Sequence, residues 1–237
     1  MTAPAAVVPG SRFDARSIAA SRTPVVCLDT CCILDIVRSP LREDVALNER
    51  REAIELVRRV EAGEIVALLA EQVLAEFADN LPLVEAEAAR GVQSHVDRIA
   101  GVDALVALTG PAVVTGVAHL AGHVASTRGW AERLIRAAGL VVADAGVVPR
   151  AYARVMQART PARKGKDSMK DCVVIETYMD AVSELRREGL GEPVVFASSN
   201  VRDYGTGGAF RPDLEAEVAA MGLRYMPNLA AARNAVA

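Results

Sequence analysis

The stretch VVCLDT at residues 25–30 decides the fold class, because it joins an apolar strand directly to a polar turn. The run Val25–Leu28 follows a proline and contains no polar side chain, which is typical of a strand buried on both faces of a parallel sheet. Asp29 and Thr30 end the run, and Thr30 is suited to cap the helix that the following CCIL segment predicts. In folds with such strands, ligands bind beyond the carboxyl ends of the strands. Asp29 is therefore the first candidate functional residue.

Two further apolar runs repeat this pattern, at residues 65–69 (IVALL) and 193–197 (PVVFA). Helical patterns lie between them, and the spacing predicts helices over residues 43–62, 71–80, 168–188 and 213–221, with a new helix starting at Pro82. A short strand-like segment follows at residues 223–226. Apolar strands that alternate with helices predict an α/β fold, in which helices flank a mostly parallel central sheet in three layers.

The length of 237 residues fits one large domain that carries an extra segment. Residues 83–160 have an almost wholly helical pattern, so we expect a single domain over residues 24–237 with a helical insertion at about 83–160. Residues 1–23 are predicted to be a flexible amino-terminal arm, and they contain no apolar core of a signal peptide. No apolar run approaches the roughly 20 residues that a bilayer span needs. We therefore expect a cytoplasmic protein with no membrane partner.

Charge and cysteine content give only weak indications of function. The net charge of −3 does not suggest a nucleic-acid-binding protein, but a carboxylate site contributes negative charge that a metal ion cancels. Contacts with phosphate require only a local basic patch. The four cysteines lack the paired spacing of a metal site and are interpreted as small apolar side chains in a reducing compartment.

Asp171 is the most unusual acidic residue of the sequence. It shares one predicted helical face with Ile175, Tyr178 and Val182, which otherwise form an apolar stripe directed at the core. Asp167 lies one turn earlier on the same face. A carboxylate is costly to bury unless it meets a cation, a metal ion or several hydrogen-bond donors. The stripe therefore indicates that Asp171 serves a site rather than the surface.

Two more acids follow strands, so that four carboxylates are expected at one edge of the sheet. Glu76 lies three residues after Val73 on the helix that follows the second strand, and Asp203 lies six residues beyond the third strand. Taken singly, each acid is equally typical of a helix cap or a surface salt bridge. Together they would repel one another, and a divalent cation such as Mg²⁺ or Mn²⁺ would relieve that repulsion. Such an ion can promote the in-line hydrolysis of a phosphodiester.

Four segments of the sequence resemble the PIN-domain nuclease family, in the order that the family has them. These segments are VCLDT (26–30), EQVLAEF (71–77), KDCVVI (170–175) and FASSNVRDY (196–204). The resemblance implies a PIN-like fold, a Mg²⁺ or Mn²⁺ ion bound by Asp29, Glu76, Asp171 and Asp203, and hydrolysis of RNA by an endoribonuclease. The best-known small members are VapC-like toxins, so a toxin–antitoxin role with an antitoxin partner is implied as well. Homodimers are common in this family.

The sequence departs from compact members of that family in two ways. About 95 residues separate Glu76 from Asp171, which is much longer than in the small toxins. Asn200 lies where relatives also have an acid, so we assign Asp203 to the site and keep Asn200 as a polar helper or secondary ligand. The hydroxyl of Thr30 is a further secondary candidate, for contact with a metal-bound water.

A basic loop lies directly before Asp171 and is a candidate for contact with the RNA backbone. The side chains proposed for that contact are Arg163, Lys164, Lys166, Lys170 and Arg202. The alternative is an ordinary solvated loop.

Two other functions remain open from the sequence. The first is a non-catalytic PIN-fold module that binds RNA or protein. The second is a phosphatase of the haloacid dehalogenase type, although Cys31 replaces the second acid that such enzymes need.

Overall fold

The computed structural model describes residues 7–38, 47–165 and 168–237, apart from the side chain of Thr206. The strands are β1 (Ser11–Arg12), β2 (Val25–Leu28), β3 (Val66–Ala70), β4 (Gly139–Val141), β5 (Val194–Ala197), β6 (Gly205–Thr206), β7 (Ala209–Phe210) and β8 (Leu223–Met226). The helices are α1 (Ala15–Ser21), α2 (Thr30–Val37), α3 (Leu47–Glu61), α4 (Glu71–Val106), α5 (His123–Ala137), α6 (Val147–Met156), α7 (Met169–Arg187), α8 (Val201–Tyr204), α9 (Pro212–Val218) and α10 (Leu229–Ala235).

Six of the strands form one parallel sheet in the order β1-β4-β3-β2-β5-β8, while β6 and β7 form a short antiparallel hairpin. Helix α5 contacts α2 and α3, α3 contacts α10, and α7 contacts α1 and α6, so that helices flank the sheet. Every residue of β2 and β5 is buried. The predicted α/β fold with a parallel central sheet is therefore confirmed.

Tyr178 fixes the carboxyl ends of two neighbouring strands. Its hydroxyl group donates to the carbonyl of Leu28 at 2.5 Å and accepts from the backbone N–H of Ala70 at 3.0 Å. The phenol lies on α7 and is completely buried. A buried hydroxyl that both donates and accepts avoids the cost of an unsatisfied polar group. The contact therefore holds β2 and β3 in place at the ends that candidate residues follow.

The amino-terminal segment differs from the predicted flexible arm. Strand β1 pairs with β4, and helix α1 packs against α7 and is capped by Asp14. Gly10 allows this path, because a Cβ atom there would lie only 2.5 Å from the carbonyl oxygen of Arg136. The arm prediction is thus wrong for residues 11–21, since these residues complete the sheet and cover α7. Residues 1–6 lie outside the described residues.

The predicted insertion at 83–160 is also too broad. Helix α4 continues through Pro82 instead of restarting there, because its buried stripe, which includes Leu81 and Val84, runs without a break past the proline. That burial outweighs the roughly 3 kcal/mol that an interior proline costs a helix. Strand β4 belongs to the central sheet and is too short for a sequence period to reveal it. No residue between 89 and 122 is buried, so only that segment extends from the core.

None of the helices in the described part of the chain combines the length and the apolar character that a membrane span requires.

Candidate functional site

The order of the strands brings three of the predicted acids to one edge of the sheet. Strand β2 lies between β3 and β5, and all three run in the same direction. Asp29 follows β2 directly, and its N–H donates to the carbonyl of Ala197 at the end of β5. Helix α4, which carries Glu76, begins after β3, and helix α8, which carries Asp203, follows β5. Parallel strands expose all their carboxyl ends at the same edge.

Asp29 is a buried acid, and no cation is among its hydrogen-bond partners in the described part of the chain. One carboxylate oxygen accepts from the N–H of Thr30 at 2.8 Å, and the other accepts from the Ser198 hydroxyl at 2.6 Å and the Cys31 thiol at 3.2 Å. Burial raises the pKa of Asp29 well above its usual value, and the charges of Cys31 and Asp171 add to that effect. The carboxylate therefore lies in a place that favours a nearby cation.

Thr30 connects Asp29 to Glu76. Its hydroxyl donates to one carboxylate oxygen of Glu76 at 3.1 Å, and the side-chain amide of Gln72 donates to the other at 3.1 Å. The prediction that Thr30 caps the helix is wrong, because Asp29 is the capping residue and Thr30 is the first residue of α2. Because Thr30 does not cap the helix, its buried hydroxyl does not accept from a backbone N–H and can orient Glu76.

Asp171 lies in the first turn of α7 and is partly buried. Ile175, Tyr178 and Val182 are completely buried, so the predicted apolar face is confirmed. The charge of Asp171 contributes to the raised pKa of both Asp29 and Tyr204, which places it within electrostatic reach of the Asp29 carboxylate. The Tyr204 hydroxyl donates to the backbone carbonyl of Asp171 at 3.2 Å. Asp167 lies outside the described residues.

Asp203 has a different environment, because a cation already neutralises it. The Nε atom of Arg163 lies 3.2 Å from one carboxylate oxygen, and the side-chain amide of Asn200 donates to the other at 2.6 Å. Asn200 thus contacts Asp203 directly. Its own N–H donates to the hydroxyl of Ser198, which in turn binds Asp29.

The donor chemistry of this edge suits Mg²⁺ or Mn²⁺. The carboxylates of Asp29, Glu76 and Asp171 are hard oxygen ligands, and in the described ranges no Arg or Lys forms an ion pair with Asp29 or Glu76. The side chains do not already converge, because the described residues contain no group of three or more His, Cys, Asp or Glu placed to hold a metal ion. A bound ion would therefore have to draw the carboxylates together by rotation of their side chains.

The family model of the PIN domain matches residues 26–204, from the second residue of β2 to the end of α8. This chain belongs to the PIN-domain family. The match covers about three quarters of the chain and includes all four candidate acids. PIN domains are generally nucleases and typically use divalent metals, so a nuclease-like fold is established here. Searches of curated proteins and of solved structures gave no match.

Basic side chains line a cleft beside Asp203 of the PIN domain. This cleft, of about 400 Å³, is bordered by Ala158, Thr160, Ala162, Arg163, Lys164, Asp203 and Arg211. Two of the predicted RNA-binding residues, Arg163 and Lys164, thus lie together next to a candidate acid. Lys170 and Arg202 are exposed but do not border the cleft. Lys166 lies outside the described residues.

Four residues of the PIN-domain site have contacts that sequence reasoning missed: Cys31, Gln72, Ser198 and Arg211. Ser198 lies inside the FASSNVRDY motif, which resembles the family. The sequence did not indicate that its hydroxyl donates to Asp29. The pKa of Cys31 is lowered to about 6, because hydrogen bonds from Cys32, Ser198 and Ser199 stabilise the thiolate more than burial destabilises it. Arg211 lies between β7 and α9 and borders the cleft. No sequence motif around it indicates this position.

Proposed function

We propose that this PIN domain is a metal-dependent endoribonuclease that uses Mg²⁺ or Mn²⁺ to hydrolyse phosphodiester bonds of RNA. The observation that carries the proposal is the environment of Asp29, a buried carboxylate that accepts no hydrogen bond from a cation among the described residues and lies within reach of the negative charge of Asp171. A divalent cation resolves this arrangement, and the family match makes a nuclease the function that such a site would serve.

Each side chain has a separate role in the proposed reaction. Asp29 and Asp171 are the principal metal ligands, and the Ser198 hydroxyl together with the Thr30 N–H fixes the orientation of Asp29. Glu76 completes the ligand set directly or through water, and Thr30 orients it. The metal would lower the pKa of its bound water and stabilise the charge that develops on the phosphate oxygens.

Asp203 would lie farther from the metal ion than the other three acids. Arg163 and Asn200 occupy its two carboxylate oxygens, so a metal contact through water suits it better than a direct bond. Arg163 and Lys164 would contact the RNA backbone from the cleft beside it. This arrangement supplies negative charge for the metal and positive charge for the substrate on adjoining surfaces.

The test is cleavage of labelled single-stranded RNA, and of DNA with the same sequence, by the purified chain in Mg²⁺, in Mn²⁺ and in EDTA. We expect RNA cleavage only with the metal, and a loss of about 100-fold or more in Asp29→Asn and in Asp171→Asn. Asp79→Asn is the matched control, because Asp79 is exposed and lies one turn beyond Glu76 on the same helix. Equal cleavage in EDTA, or full activity in both site variants, would show that the site is wrong.

RNA binding without any cleavage by the wild type would instead favour the non-catalytic PIN module. Cleavage of DNA alone would keep the metal site and change the substrate. An antitoxin partner, a homodimer and a cytoplasmic location stay predictions. A gene for a small partner protein beside this one, together with co-purification of its product, would test the first of them.

A further inference from the structure

Lys164 and Arg211 are cations that have no carboxylate partner among the residues that the structure describes. Both border the cleft next to Asp203, where Arg163 contributes a third positive charge and Asp203 the single negative one. The backbone carbonyl of Arg202 accepts a hydrogen bond from Nη2 of Arg211 and thereby fixes the position of its guanidinium group. A cleft with this excess of positive charge attracts an anion, and guanidinium groups match the geometry of phosphate oxygens.

A buried network holds the loop that carries two of these cations. Arg154 is only 1% exposed, and it donates to the carbonyl of Thr160 at 2.6 Å. The same guanidinium group binds Glu176 at 2.6 Å and Glu217 at 2.6 Å. Asp213 accepts hydrogen bonds from both the N–H and the hydroxyl of Thr160, at 2.8 and 2.7 Å. The cleft wall is therefore preorganised, which reduces the entropy cost of binding a ligand there.

We propose that Lys164, Arg211 and Arg163 form a binding site for a phosphate group of the nucleic-acid strand, next to the phosphodiester that is cut. The proposal rests on the nuclease function proposed above and adds to it a specific substrate contact. Asp203 connects the phosphate site to the metal site. It borders the cleft, and it follows β5, which pairs with the strand that precedes Asp29. The phosphate can be an internal backbone group or a terminal 5′-phosphate, and the experiment separates these two sources.

The experiment measures binding of a fluorescent single-stranded RNA to the full chain in EDTA, over a range of salt concentrations. We expect Arg211→Gln and Lys164→Gln each to weaken binding by about fivefold to tenfold. Each should also reduce the slope of log K against log salt by about 0.7, the value for one lost phosphate contact on a single strand. Arg211→Lys keeps the charge and should keep most of the salt slope. Circular dichroism and the unfolding midpoint show that each variant is folded.

Arg98→Gln is the matched control, because Arg98 is an exposed arginine on the outer part of α4 and does not border the cleft. It should leave both affinity and salt slope unchanged. The proposal is overturned if both cleft variants bind RNA with the affinity and salt slope of the wild type. It is equally overturned if Arg98→Gln weakens binding as much as they do.

Two RNAs of the same sequence, one with a 5′-phosphate and one with a 5′-hydroxyl, distinguish the source of the phosphate. A preference for the phosphorylated RNA that disappears in the cleft variants assigns the site to a terminal phosphate. An equal loss for both RNAs assigns it to an internal phosphate. Binding in EDTA requires no cleavage, so an inactive wild type would refute the nuclease proposal and leave the outcome for the cleft intact.

Discussion

Asp29 and Asp203 are both buried acids that follow neighbouring strands, yet their surroundings are opposite. Asp29 is 5% exposed and receives hydrogen bonds only from a hydroxyl, a thiol and a backbone N–H. Asp203 is 4% exposed and pairs with the guanidinium group of Arg163. Among the described residues, therefore, no cation binds Asp29, whereas Arg163 pairs with Asp203 and further cations lie beside it.

This difference supports separate roles for the two sides in the proposed function. The acidic side, formed by Asp29, Thr30 and Glu76, has the chemistry to attract a metal ion. The basic side, formed by Asp203 with Arg163, Lys164 and Arg211, has the chemistry to attract a phosphate group. The sequence motifs do not distinguish the four acids from one another. Their contacts do, because Asp203 pairs with a cation whereas Asp29 accepts from a hydroxyl and a backbone N–H. Separating the two sides by mutation is thus the most direct test of this division.

The largest effect should come from Arg154→Met on the basic side. The substitution leaves Glu176 buried without its closest counterion and removes the bond to the Thr160 carbonyl. Loss of one member of a buried ion pair destabilises a protein by about 3–5 kcal/mol. We expect that decrease in the free energy of unfolding in urea, together with weaker RNA binding, because the loop that carries Arg163 and Lys164 loses its support.

Arg150→Met provides the control for this prediction. Arg150 binds the same Glu176, but its side chain is 43% exposed. Because Arg150 is accessible to solvent and Arg154 still neutralises Glu176 when Arg150 is replaced, we expect a loss of about 1 kcal/mol or less. Equal destabilisation by the two substitutions would mean that the buried network does not support the loop, and the two sides of the site would lose their separate structural basis.

The second largest effect concerns stabilisation by the metal. At a concentration of 100 times its Kd, an ion that binds only the folded chain stabilises it by about 2.7 kcal/mol. We expect Mn²⁺ to raise the unfolding midpoint of the wild type and to have no such effect on Asp29→Asn. Asp203→Asn should keep most of the stabilisation, because Arg163 and Asn200 already satisfy that carboxylate. Equal loss in both variants would make Asp203 a principal ligand and contradict the division.

The pH dependence of stability should also have opposite signs at Asp29, on the acidic side, and at Asp213, which holds Thr160 in the wall of the basic cleft. The pKa of Asp29 is raised in the folded chain, so the stability that this group contributes is present at low pH and is lost as pH rises through the folded pKa. The pKa of Asp213 is lowered, because the hydrogen bonds of Thr160 outweigh the effect of burial. Its contribution is present above the usual value of 3.8 and is lost as the pH falls below it.

Asp29→Asn should therefore gain stability relative to the metal-free wild type as the pH rises. Asp213→Asn should lose stability relative to the wild type as the pH rises toward 3.8, because the wild-type contribution of Asp213 is gained over that lower range. Urea unfolding at a series of pH values in EDTA measures both trends. Parallel trends for the two variants would show that the two acids have similar surroundings.

The sequence predicted those features that depend on local pattern. Strand β2 with Asp29 and the apolar face of α7 behind Asp171 follow from short runs and a helical period, and both are confirmed. Strand β1 was missed because two residues carry no period, and their pairing with β4 depends on contacts distant in the chain. Arg163 was predicted as a basic residue of a loop, but its pairing with Asp203 depends on the fold. Asn200 was predicted to be a polar helper or a secondary ligand, and its side-chain amide donates to Asp203 at 2.6 Å.

The smallest effect should come from Thr30→Val, which tests how the acidic side is assembled. Valine keeps the shape of threonine but removes the hydroxyl that donates to Glu76 at 3.1 Å. Loss of one such hydrogen bond costs about 1 kcal/mol, so we expect a roughly fivefold weaker Mn²⁺ affinity, measured from the shift of the unfolding midpoint with metal concentration. Thr30→Ser keeps the hydroxyl and should restore most of the affinity. If valine binds the metal as well as threonine does, Glu76 takes its position without Thr30, and the acidic side is not organised through that residue.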